Sequence, residues 1–265
     1  MAEVRSFCVG YCTHPACMAL KGAGVASRKF PARAYLLESR GELFLWDTGY
    51  APAFRKETKG LYALYRWVTP VHYDHEQEHL AHQLRHQGIR SQDICAVVVS
   101  HFHADHIAGL SDYPNVPVFA SQAGLTSIRG LTGWRALQKA FVPGLLPADF
   151  GTRVRPIESL PYKTLPPELH PFSHGSQLDS AGDIWIVSLP GHAEGHVGAF
   201  VRTTTGWVLL ASDAAWAPEA YQAQRGPSEL SFLIQHSRPA YYATLAALHA
   251  VHQRGVKILL THEAS

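Results

Sequence analysis

Apolar residues in this chain fall into short runs broken by polar bursts, glycine and proline, a rhythm of strands and loops rather than long helices. Segments 35–38 and 42–46 read as two strands, with Ser39-Arg40-Gly41 as the hairpin turn between them. Ala96-Val97-Val98-Val99 is short, continuous and β-branched, the pattern of a buried strand. Segments 116–120, 183–189, 198–202, 207–211 and 256–260 extend the series. Helical spacing is confined to Leu80, Leu84 and Ile89, ahead of which Gly88 sits as a C-cap, and to 240–254, stopped by Gly255. Both halves run in the same order: strands first, then a strand, a polar burst and a helix. No short-period repeat or low-complexity linker interrupts them, so residues 1–265 are expected to form one α/β domain.

Two stretches lack a clear period. Residues 50–70 are aromatic-rich, with Tyr62, Tyr65 and Trp67, and read either as a flap over a pocket or as a packed loop. From about 124 to 174 the pattern dissolves among Gly, Pro and scattered apolar residues such as Leu125, Trp134, Phe141 and Phe150. A segment of that length is read as a lid-like insertion or pocket wall, with a peripheral helical hairpin as the alternative.

The polar bursts carry the chemistry. Ser100-His101-Phe102-His103-Ala104-Asp105-His106 follows the 96–99 strand directly, at the carboxyl edge where α/β folds bind ligands. Neutral imidazoles and a carboxylate suit a borderline metal such as zinc, and this spacing lets one loop serve two ions. Later strands end in further donors: His192 after Leu189, Asp213 after Leu210 and His262 after Leu260. Seven ligands exceed one tetrahedral zinc and match two metals sharing a carboxylate, with an oxygen of Asp213 as the bridge. Asp47, just past the 42–46 strand, either accepts hydrogen bonds that orient a ligand loop or forms the turn before Gly49. His196 is left out of the ligand set, and His249 and His252 are read as surface.

Two rival clusters compete. His75-Glu76-Gln77-Glu78-His79 fits the His-Glu-x-x-His pattern of zinc proteases if it is helical. However, the histidines continue through His82 and His86, and no glutamate follows until Glu158. Cys8, Cys12 and Cys17 gather near His14 without any Cys-x-x-Cys spacing, either a small metal site or ordinary buried thiols.

Composition narrows the function. A formal net charge of +2 and the lack of a basic run argue against a nucleic-acid partner. No stretch reaches the roughly 20 apolar residues of a membrane span. The start, Met1-Ala2-Glu3-Val4-Arg5, has no secretory pattern, so a cytoplasmic location is expected. Four cysteines do not make a disulfide framework at this length.

Asp47-Thr48-Gly49, His101-x-His103-x-Asp105-His106, Pro190-Gly191-His192, Ser212-Asp213 and His262, in that order, resemble the metallo-β-lactamase superfamily. The resemblance implies an αββα sandwich, two mixed β-sheets flanked by helices, with the site at one edge. It would give His101, His103 and His192 to one metal, and Asp105, His106 and His262 to the second, with Asp213 bridging. Phe30-Pro31-Ala32-Arg33-Ala34-Tyr35 and the segment around Ser212-Asp213-Ala214-Ala215 are similar to N-acyl-homoserine lactone lactonases. The likeness implies a metal-dependent hydrolase opening a lactone or ester with a metal-bridging hydroxide, Asp105 and Asp213 being catalytic as well as ligands. Two divalent ions are implied, zinc first, with Fe, Mn or Co as alternatives, together with a small-molecule substrate; a homodimer is compatible. Those lactonases carry a tyrosine three residues past the bridging aspartate, where this chain has Trp216. Trp216 is therefore expected at the substrate, with Tyr221, Tyr241 or Tyr242 as substitutes for the missing phenol. The long insertion after His106 is more like relatives acting on aryl esters or organophosphate triesters, and a non-hydrolytic metal module is the remaining alternative.

Overall fold

A computed structural model describes residues 1–263. The first sheet contains β1 (Glu3–Pro15), β2 (Ser27–Ser39), β3 (Glu42–Trp46), β4 (Val71–His72), β5 (Ala96–Val98), β6 (Val118–Ala120) and β7 (Val154–Pro156). Its spatial order is β4-β1-β2-β3-β5-β6-β7, antiparallel from β4 to β3 and parallel from β3 to β7. The second sheet contains β8 (Tyr162–Thr164), β9 (His174–Gln177), β10 (Ile184–Ser188), β11 (Val197–Thr203), β12 (Gly206–Ser212) and β13 (Lys257–Leu260). Its order is β13-β12-β11-β10-β9-β8, with only the β12–β13 pair parallel.

Side-chain alternation explains the layering. Tyr35, Leu37, Phe44, Trp46, Ala96 and Val98 point inward and meet Ile184, Ile186, Ala199, Val201, Val208 and Leu210 of the other sheet. Their neighbours Leu36, Leu45 and Val97 point outward and pack under helices carrying Phe54, Leu84 and Ile107. On the far side Val187, Phe200, Leu209 and Ala211 are covered by Leu245, Leu248 and Val251 of the helix Arg238–Gln253. The result is an αββα sandwich of two mixed sheets, as the resemblance implied. Strands read as continuous apolar runs are those buried on both faces. No helix among the described residues is long and apolar enough to cross a membrane.

Several elements differ from the sequence reading. The N-terminal β1 and the first eight residues of β2 form a long antiparallel ribbon that apolar alternation does not reveal, because many of its side chains are half-exposed. The aperiodic 124–174 stretch holds β7, β8 and part of β9, short polar strands that extend the edges of both sheets. Its front part packs Phe141, Val142, Leu145 and Phe150 into the outer core of the first sheet. The His75–His79 motif is not a helix. Asp74 Oδ1 accepts from the amides of Glu76 and Gln77, a local turn that holds the backbone out of helical register until Leu80.

Candidate metal centre

The ligand candidates sit where strands of both sheets end. Asp47 follows β3, the loop His101–His106 follows β5, Asp213 follows β12 and His262 follows β13. Two hydrogen bonds pin the sheets together directly beneath them. Trp46 Nε1–H donates to Ser212 Oγ at 2.8 Å, and the Tyr35 hydroxyl donates to the Leu260 carbonyl at 3.0 Å. Ser212 directly precedes Asp213, and Leu260 lies two positions before His262.

The glycines of the short motifs have a steric reason. Gly191 has φ +133, and a Cβ there would lie 2.3 Å from the Tyr241 backbone, so only glycine lets the loop carrying His192 lie against the helix. Gly49 has φ +66, and its missing side chain admits Val9. Thr48 ties that turn to the histidine loop: its amide and hydroxyl both donate to the His106 carbonyl, at 2.8 and 2.9 Å.

All seven ligand candidates come together. Donor atoms within 4.8 Å of one another form three buried triads: His101, His103 and His192; His101, His106 and Asp213; Asp105, His106 and His262. Overlap through His101 and His106 makes this one continuous cluster. His192 Nε2 lies 3.1 Å from His101 Nε2 and 3.0 Å from His103 Nδ1. Asp213 Oδ2 lies 3.0 Å from His262 Nε2 and 3.5 Å from His192 Nε2, while its Oδ1 lies 3.4 Å from His106 Nε2. The carboxylate thus reaches both ends.

Surrounding groups fix which nitrogens face inward. His106 Nδ1–H donates to Asp47 Oδ2 at 2.8 Å, and His262 Nδ1–H donates to the Pro31 carbonyl at 2.7 Å, so both Nε2 atoms turn toward the cluster. Asp47 is itself held by the Ser100 amide and hydroxyl, each at 2.7 Å. The carboxylate therefore orients the histidine loop as well as shaping the turn before Gly49. His196 is fully buried but joins no triad; it donates to the Leu189 carbonyl and accepts from the Asp213 amide, which places the aspartate's backbone. Sequence reasoning gave neither Ser100 nor His196 a role, although both flank ligand motifs.

Electrostatics divide the cluster. Burial, reinforced by neighbouring imidazoles, holds His101 and His192 well below the ordinary histidine range, and burial pushes His103 down to about 4. Burial also works against charge on His106 and His262, but nearby carboxylates win and both are raised: Asp105, Asp47 and Asp213 around His106, and Asp213 with Asp105 around His262. Burial would raise Asp213, yet His262 and His106 hold it well below the usual carboxylate range.

The donor set fits a pair of divalent cations. His106 Nε2 and Asp213 Oδ1 are buried, face each other and have no hydrogen-bond partner among the described residues. A buried imidazole nitrogen and a buried carboxylate oxygen that converge at 3.4 Å without a satisfied hydrogen bond are costly, and a cation that displaces the His106 proton would satisfy both.

A chamber of about 500 Å³ opens onto the cluster, where His103, Asp105, His192, Asp213 and His262 form its floor. Its walls include Phe30, Tyr50, Tyr65, Trp67, Trp134 and Trp216. The 50–70 and 124–140 segments thus both supply wall residues. Trp216 Nε1–H donates to Asp213 Oδ2 at 2.9 Å, so its polar edge is turned to the cluster. Tyr221 is not at the chamber. It is buried beneath the helix Arg238–Gln253, where its carbonyl accepts from His249 Nδ1–H, and Tyr241 lies in the same outer core. The expectation of Tyr221 as a substrate residue is corrected accordingly: the nearest residue types in sequence are used for helix packing. The chamber's phenols are Tyr50, which directly follows Gly49, and Tyr65. Cys12 lines the chamber, Cys8 and Cys95 are exposed, and all four thiols are free; no cysteine joins a ligand triad among the described residues.

A buried His/Asp cluster at the open edge of an αββα sandwich defines a class of metal-binding protein. The model of the metallo-beta-lactamase superfamily matches residues 28–261, and the chain belongs to that superfamily. Within it, a probable metallo-hydrolase of Mycobacterium tuberculosis is 27% identical over 208 residues, 76% of this chain. The matched region spans 61% of that relative's length. An N-acyl homoserine lactonase of a Bacillus species is 26% identical over 196 residues, 72% of this chain and 67% of the relative. Among solved structures, an N-acyl homoserine lactone hydrolase with N-hexanoyl-L-homoserine at its catalytic metal centre superposes with a TM-score of 0.69. That match has 18% identity and covers 98% of this chain and 92% of the other.

Proposed function

We propose that the protein is a dinuclear metal-dependent hydrolase of lactones or esters, with an N-acyl-homoserine lactone as the preferred substrate. The observation that carries this reading is the continuous seven-residue cluster in which Asp213 reaches both ends beneath an apolar chamber. His101, His103 and His192 would hold one ion, Asp105, His106 and His262 the other, and Asp213 would be shared. Zinc suits the imidazole-rich donor set. Divalent ions bound there would activate water near neutral pH and polarise a carbonyl.

The chain's own groups do the rest. Asp47 and the Pro31 carbonyl hold His106 and His262 in the tautomers that turn Nε2 inward. Asp213 keeps negative charge at the reacting end, and Asp105 lines the chamber as the group placed to take or return a proton. Tyr65, Trp67, Trp134 and Leu137 offer an acyl chain an apolar wall and exclude water from it. The Bacillus lactonases supply the substrate choice. A second reading, aryl esters or organophosphate triesters, is favoured by the number of aromatic rings lining the chamber and by Trp216 already being engaged by Asp213.

The test is proton release during incubation of metal-loaded protein with short- and long-chain homoserine lactones, phenyl acetate and an aryl phosphotriester. Lactone opening that a chelator abolishes is the expected result. Full turnover after metal removal would overturn the mechanism, and ester or phosphotriester turnover without lactone opening would transfer the assignment to the second reading.

A further inference from the structure

Large apolar side chains stand exposed around the mouth of the chamber. Trp67 is 80% exposed, Trp134 61% and Leu233 80%, and Leu64, Val68 and Ile234 are exposed with them. Leu64, Trp67, Val68, Trp134 and Ile234 all line the mouth, and Leu233 lines the adjoining pocket against the helix Gly133–Gln138. Large apolar side chains gathered in one exposed zone mark an interaction surface.

Charge follows the same segments. Residues 52–69 hold Arg55, Lys56, Lys59 and Arg66 against one carboxylate, Glu57; residues 122–140 hold Arg129, Arg135 and Lys139 and no carboxylate. The whole chain is only +2, so without these two segments it would be net negative. Lys56 pairs with Glu57 and Lys139 with Glu194, whereas Arg55, Lys59, Arg129 and Arg135 form no ion pair among the described residues. Tryptophan and aliphatic side chains on basic segments are what an anionic membrane surface binds: rings settle at headgroup level while lysine and arginine meet the lipid charge.

Other occupants fit less well. A two-fold related copy seated on this face would set the same basic segments against each other. Single-stranded nucleic acid would use the two tryptophans but gain nothing from Leu64, Val68, Leu233 and Ile234.

We propose that the mouth of the chamber docks on an anionic lipid surface, with Trp67 and Trp134 inserted at headgroup depth and Arg55, Lys59, Arg129 and Arg135 over the lipid charge. Docking would present the chamber directly to molecules dissolved in the membrane, and it does not depend on which bond the metal centre cleaves.

The experiment is co-sedimentation of the metal-loaded protein with phosphatidylcholine vesicles, pure or mixed with phosphatidylglycerol, with tryptophan emission recorded alongside. Partition onto the anionic vesicles should exceed that onto the neutral ones on the order of a hundredfold and fall as salt is raised. Lys59→Glu with Arg135→Glu should lower it by at least roughly fivefold per charge. Neither residue is a ligand or lines the chamber, so this variant separates docking from chemistry. Trp67→Ala with Trp134→Ala should lower partition roughly tenfold and remove the blue shift of emission. Absence of binding to anionic vesicles, binding that ignores the charge reversals, or a dimer in solution that shields Trp67 would each overturn the proposal.

Discussion

Around His101 and His192 the one carboxylate acting is Asp213, and around His103 Asp105 acts with it, yet burial outweighs them and holds all three imidazoles below the ordinary histidine range. A few ångströms away His106 and His262 lie among Asp47, Asp105 and Asp213 and are raised instead. One end of the cluster therefore presents lone pairs ready for a cation. The other end holds a proton when no cation is bound, and a metal must displace it. The same side chain is tuned in opposite directions by how many carboxylates share its cavity.

The most severe way to break this contrast is to remove the residue common to both ends. Asp213→Ala should lower turnover by on the order of a thousandfold and reduce metal content from two equivalents toward one or none, read by elemental analysis. Two retained equivalents would mean that the ends are independent.

Acidification should separate them. In the metal-free fold the raised His106 and His262 contribute stability that is present below the ordinary histidine pKa and lost as pH rises through their raised values. Metal affinity at that end must then climb with pH across the neutral range. The lowered His101, His103 and His192 compete with protons only in acid, toward about 4 for His103. As pH falls from 8 to 5, one equivalent should leave well before the other, and calorimetry in two buffers should detect proton release for that equivalent alone. Simultaneous loss would contradict the asymmetry.

A third measurement sharpens the same point. Asp47→Asn keeps the size of the side chain but weakens the acceptor for His106 Nδ1–H. It should cost one equivalent roughly 10–100-fold in affinity while sparing the other. Last in size, Trp216→Phe removes the N–H that Asp213 Oδ2 accepts and should change metal affinity or kcat by about tenfold or less.

The sequence showed the ligands more clearly than the scaffold, for a physical reason. His101, His103, Asp105, His106, His192, Asp213 and His262 each follow a short apolar strand, and strands buried on both faces advertise themselves as unbroken runs. The β1–β2 ribbon does not, because its side chains are alternately half-exposed and its stability comes from pairing with a partner strand. Edge strands β7 and β8 are short and polar, legible only once the sheet beside them exists. Tyr221 misled for a related reason: closeness in sequence to Asp213 says nothing about which face of the following helix pair a side chain joins. His75 and His79 fit a helical motif by spacing, but Asp74 closes a turn there.

The Trp46–Ser212 and Tyr35–Leu260 bonds have a kinetic consequence. The histidine loop belongs to the first half of the chain, whereas His192, Asp213 and His262 arrive from the second, across long stretches of sequence. Neither sheet alone can assemble the cluster, so during refolding metal capture must wait until the two halves have met. The rate at which refolding protein takes up divalent metal then becomes a stopwatch for sheet docking. Trp46→Phe, which touches no ligand, should slow that clock.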